Sequence, residues 1–76
     1  MSQEFEWRSQ SRLLDEVAQA LRERIYAGVY APGVTLRQER VAAEFGISRT
    51  PLREAFRVLE RDGLVVNKPG SGVRVA

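Results

Sequence analysis

A chain of 76 residues, 43% of them hydrophobic, can build no more than one compact domain, because at this size only about 60% of the unfolded surface is buried and little stability is left over. It contains neither cysteine nor histidine, which excludes disulfide staples, thiolate zinc sites and imidazole catalysis and suits a reducing cytoplasmic compartment. The net charge of +2 is unevenly placed: residues 1–35 hold four Arg and five acids (net −1), residues 36–76 eight Lys/Arg and five acids (net +3), a bias that suits a polyanionic partner without specifying one.

In chain order, residues 1–10 lack the apolar run of a signal peptide, and no stretch approaches the roughly 18 apolar residues of a membrane span. They are expected to form a flexible arm ahead of a domain at 11–76, with Phe5 and Trp7 assigned to that arm or to a contact with parts outside this chain. From Leu13, apolar residues recur at Leu14, Val17, Ala18, Leu21 and Ile25, the spacing of an amphipathic helix, with Ser11 available to cap its start. Gly28 supplies the stop, and Pro32-Gly33 reads as a tight turn.

Leu36, Val41, Ala42 and Phe45 fit the apolar side of a short second helix over about residues 38–45, which Gly46 ends. A minimal turn then leads to Ser48, whose hydroxyl is expected to accept from the free N–H groups that open a third helix. Pro51 is tolerated in that first turn because its missing N–H has no carbonyl partner there. The third helix is predicted from Arg49 to about Asp62, with Gly63 as its stop. At 100° per residue it divides into two arcs: Leu52, Ala55, Phe56 and Leu59 on one side, Arg49, Thr50, Arg53, Arg57 and Arg61 on the other. Beyond Gly63, "LVVNKPGSGVRV" reads as two short β-branched runs around a Gly-rich tip, the signature of a hairpin. No repeat or low-complexity tract is present.

The predicted fold is mainly α with a small β-hairpin: a winged helix-turn-helix of three helices and a C-terminal two-stranded wing. Its third helix would bury the apolar arc and present guanidiniums that can fork onto guanine O6 and N7 or onto phosphates in a major groove. Ser48 and the N–H groups beside it would favour a phosphate. Each feature has an ordinary reading as well. An arginine stripe is usually a solvated helix face, which Glu54 and Glu60 can partly neutralise, Ser48 can be only a cap, and a Gly-rich tip only a turn. The three features in order within about thirty residues favour nucleic acid over a winged helix used purely as a protein-protein module. No activated nucleophile or paired acid marks an enzyme.

The chain resembles the GntR family of bacterial transcription regulators, specifically the winged-helix domain of its FadR-type branch. The carriers are "IYAGVYAPGVTL" (25–36), "VAAEFGISRTPLREAFRVLERDGLV" (41–65) and "PGSGVRV" (69–75). The resemblance implies that Arg49 and Arg53 read bases in the major groove, with Ser48 and Thr50 at phosphates or base edges. It also implies that Gly70 lets the wing approach the minor groove with Lys68 and Ser71 beside it. Arg57 on the same helix, and Arg37 and Arg40 at the second helix, complete the expected DNA-binding set. One position departs from the pattern: the family often has Glu-Arg ahead of its Leu-Ala pair, the arginine touching DNA, whereas Gln38-Glu39-Arg40 precedes Val41-Ala42 here and puts Glu39 in the arginine's place. Regulators of this branch continue into a larger helical domain that binds a small organic acid, often with a metal, and supplies most of the dimer interface. The resemblance therefore implies no cofactor in this chain, a homodimer on a palindromic operator, a repressor in the bacterial cytoplasm at the nucleoid, and a chain that is either a DNA-binding domain of a longer protein or a native short one.

Overall fold

Leu21, Leu52 and Leu59 are fully buried, and the elements that enclose them are three helices and three strands. The computed structural model describes the backbone of residues 2–70 and 72–76 and the side chains of residues 12–70 and 72–76. The order is α1 (Ser2–Tyr26), β1 (Thr35–Leu36), α2 (Gln38–Phe45), α3 (Arg49–Arg61), β2 (Val65–Lys68) and β3 (Gly72–Val75). The second and third helices lie where their periodicity predicts, with Asp62 closing α3 as its C-cap.

The first helix is longer than predicted. It begins at Ser2, so residues 2–10, expected as an arm, are continuous with it, and Ser11 lies inside the helix instead of capping it. Residues 2–10 contain neither Gly nor Pro to interrupt a helix.

A third strand also departs from expectation. Leu36, expected on the apolar side of α2, is in β1, buried and paired with Val73. The Pro32-Gly33 turn is the cause. Val34 N–H donates to the Ala31 carbonyl at 3.1 Å and Gly33 has φ 85°, the pattern of a type II turn with proline at its second position. The reversal lays the chain beside β3, where Gly33 N–H donates to Val75 O and Val75 N–H to Val34 O, both at 2.9 Å. The sheet is antiparallel in the order β1-β3-β2. Along the central strand Val73 and Val75 point inward while Gly72 and Arg74 are exposed, the period-two alternation of a half-buried strand.

Val17, Ala18 and Leu21 of α1 pack against Leu52, Ala55, Phe56 and Leu59 of α3, closed by Val41 and Ala42 of α2 and by the strand valines. Burial of each large side chain contributes about 1.5–3 kcal/mol. Two surface ties set α1 against the other helices. Arg22 Nη2 donates to Asp62 Oδ2 at 2.9 Å. Arg24 donates to the Tyr30 hydroxyl at 2.8 Å and to Glu44 Oε2 at 3.2 Å, with its guanidinium carbon 4.3 Å from the centroid of the Phe45 ring, a cation over a π face.

The corner between α2 and α3 sets the direction of the third helix. Gly46 stands at φ 67°, its N–H donates to Ala43 O at 3.2 Å, and Ile47 N–H donates to Ala42 O at 3.0 Å. This is the Schellman pair of bonds, which satisfies the last carbonyls of α2. A side chain at Gly46 would meet nothing within 4 Å, so glycine is needed for its left-handed backbone and not for space. Ile47 then packs against the core, and α3 starts two residues later.

Candidate nucleic-acid interface

Because the apolar arc of α3 is buried, its arginines face outward. Arg49, Arg53 and Arg57 are all exposed, as the helical arcs predict. Arg53 and Arg57 line a shallow groove of about 110 Å³ together with Gln38 at the start of α2, Glu60, and Asn67 on β2. The cationic face of α3 and the strand leading to the wing tip therefore share one surface. Asn67 precedes Lys68, which pairs with Gly72 across the turn. Lys68 and Gly70 are exposed, Gly70 has φ 79°, and among the described residues, its chain neighbours aside, no atom lies within 4 Å of where its Cβ would be, so backbone there is open to close approach. Ser71, the other expected wing contact, lies outside the described residues.

The three arginines differ in what they already touch. Arg49 Nη1 lies 3.8 Å from Glu39 Oε1, and Arg57 Nη1 lies 3.7 Å from Glu54 Oε1 one turn away. Arg53, between them, makes no ion pair among the described residues. The paired arginine side chains are 65% and 66% exposed, and ion pairs this solvated contribute little. Both guanidiniums can therefore exchange a carboxylate for a nucleic-acid acceptor. Glu54 is legible in the sequence as a helical neighbour of Arg57, whereas the Glu39 contact with Arg49 reaches across the corner. Arg37 and Arg40 are exposed on either side of Gln38 and Glu39. Thr50 is exposed beside Arg49. Gln38 and Asn67, which carry no charge and no helical period to mark them, are site residues that sequence reasoning did not single out.

Ser48 needs a correction. It occupies the N-cap of α3 with an extended backbone, φ −76° and ψ 170°, but its side chain makes no capping bond. A capping oxygen accepts from the second or third N–H of a helix, and the third position here is Pro51, which has no N–H to donate. Ser48→Ala is therefore expected to change stability by less than about 0.5 kcal/mol, below the loss of about 1 kcal/mol typical of a removed cap, while weakening DNA binding through the lost hydroxyl. Urea melts and binding titrations on the same variant check this; a stability loss of a full cap would restore Ser48 to a structural role.

Among the described residues no group of three His, Cys, Asp or Glu is placed to hold a metal ion, and no helix is long and apolar enough to cross a membrane.

Residues 13–75 match the family model described as "Bacterial regulatory proteins, gntR family". The Exu regulon transcriptional regulator of Escherichia coli (strain K12) is 46% identical over 65 residues, which cover 84% of this chain and 25% of that protein. Among solved structures, a transcriptional regulator (GntR family member) from Pseudomonas syringae pv. tomato aligns with a TM-score of 0.75 at 38% identity, covering 84% of this chain and 27% of that one. AraR(DBD) in complex with operator ORR3 aligns with a TM-score of 0.77 at 26% identity, covering 84% of this chain and 78% of that one. The chain spans 20% to 30% of the length of curated relatives that it matches.

Proposed function

This chain belongs to the gntR family of bacterial regulatory proteins, and we propose from that premise that it is the module with which a longer regulator reads operator DNA. It is a winged helix-turn-helix DNA-binding domain, not an enzyme. The observation that carries the reading is the shared surface: α3 brings Arg53 and Arg57 to the same groove as Asn67 of β2. A rod of guanidiniums beside a projecting hairpin can occupy a major groove and the flanking backbone together.

In this reading Arg49 and Arg53 fork onto base edges. Ser48 and Thr50 meet phosphate at the positive end of α3, and Arg37, Arg40 and Arg57 neutralise neighbouring phosphates. Lys68 and the bare backbone of Gly70 carry the wing toward the minor groove, where the absence of a side chain allows close approach. Two copies would lie on the halves of a palindrome, one α3 per half-site. Dimerisation, and the binding of a small organic acid with or without a metal, would belong to other parts of the regulator, which acts as a repressor in the bacterial cytoplasm on nucleoid DNA. The FadR-type branch is supported by the sequence blocks that resemble it.

Salt is the first test, because each neutralised phosphate releases counterions and adds roughly −0.9 to the slope of log affinity against log salt. In gel-shift titrations at two salt concentrations, affinity for duplex DNA should fall steeply as salt rises. Salt-insensitive binding would transfer the function to a protein-protein contact through exposed apolar residues such as Tyr26 and Val29.

A further inference from the structure

We propose that Glu39 is a specificity-determining positioning residue, which holds Arg49 ready for a base edge and denies it to phosphate; the inference rests on the DNA-binding function proposed above. Glu39 lies in the first turn of α2, 81% exposed, with its carboxylate 3.8 Å from the Arg49 guanidinium on the other side of the helix corner. Stability does not explain the pair, since ion pairs this exposed contribute little to folding. Its cost to DNA binding is plain, because a carboxylate within a few ångströms of a cation on a phosphate-facing surface lies well inside the screening length of about 8 Å at physiological salt.

That cost falls unequally on right and wrong sequences. Non-specific binding is made of phosphate neutralisation. For it, Arg49 must leave Glu39, or a phosphate must settle beside a carboxylate. Base reading has no such conflict. A guanidinium has five donors on a rigid fork, so Arg49 can turn one edge onto guanine O6 and N7 while the other stays with Glu39. The carboxylate biases the side-chain direction before the base arrives and repels the competing anion, and discrimination gains from the repulsion as much as from the contact.

The test compares a duplex selected from a random pool with a scrambled duplex of equal length, using the wild-type chain and Glu39→Gln, which keeps the shape and removes the charge. The scrambled duplex should be bound about 3- to 10-fold more tightly by Glu39→Gln, with a salt slope steeper by roughly one phosphate. The selected duplex should gain less than about 2-fold, so that the ratio of the two affinities falls. In an Arg49→Ala background the same Glu39 change should leave the ratio unmoved, which a merely structural or long-range charge effect would not do. An equal gain on both duplexes, an unchanged ratio, or the full effect in the absence of Arg49 would overturn the assignment while leaving DNA binding intact. A wild-type chain that binds neither duplex would overturn the proposed function and this inference together.

Discussion

Arg53→Ala should weaken binding to a selected operator duplex by about 1–3 kcal/mol, tenfold for each 1.4 kcal/mol, and alter binding to scrambled DNA far less. Of Arg49, Arg53 and Arg57 it is the one with no carboxylate partner among the described residues, so no carboxylate among them has to be displaced when it meets a base. It sits one residue after Leu52, which is fully buried, and three before Phe56, which is nearly so. The backbone that carries it is therefore fixed by the core. The same placement makes the variant clean: Arg53 is exposed, and removing a solvated side chain from a helix face leaves stability within about 0.5 kcal/mol. Thermal melts alongside binding curves on both duplexes separate the possibilities. An equal loss on selected and scrambled DNA would make Arg53 a phosphate contact, and an unchanged affinity would remove it from the interface.

What was legible in the sequence follows from what repeats or punctuates. Leu52, Ala55, Phe56 and Leu59 announce α3 because burial recurs with the helical period, and that periodicity also sends Arg49, Arg53 and Arg57 outward. Gly46 and Gly63 mark helix ends because each stands in the left-handed conformation that closes a Schellman pair, Gly63 N–H to Glu60 O at 3.0 Å and Leu64 N–H to Leu59 O at 2.9 Å in the second case. The valines around Pro69-Gly70 announce the hairpin by their alternation.

What was not legible depends on partners distant in sequence. Thr35–Leu36 is too short to show a period, and it is a strand only because β3 supplies the other half of each bond. Glu39 and Arg49 are ten positions apart, and only the geometry of the corner brings them together. Gln38 and Asn67 join one groove through packing alone. Ser48 differs from these: the proline at the third helical position, which removes one of the two N–H groups a capping hydroxyl could accept from, is plain in the sequence.

Leu52→Ala should separate folding from reading within one dipeptide. Leu52 is fully buried in the core shared by the three helices and the sheet, and truncating such a leucine costs about 2–5 kcal/mol once the cavity is counted. At roughly 0.05–0.15 kcal/mol per residue, a domain of this size holds only about 4–11 kcal/mol in total, so the loss is a large share of its stability and the melting temperature should drop by roughly 10 °C or more. Binding at physiological temperature should weaken on selected and scrambled duplexes alike, because both compete with unfolding, and adding DNA should recover part of the lost stability. Cooled to where the variant is fully folded, its ratio of affinities should match the wild type. Arg53→Ala predicts the opposite signature, stability intact and the ratio reduced. If folded Leu52→Ala lost discrimination, the seating of α3 on its core would itself be part of how the bases are read, because a helix that shifts by the width of a methyl group moves its forked donors out of register with O6 and N7.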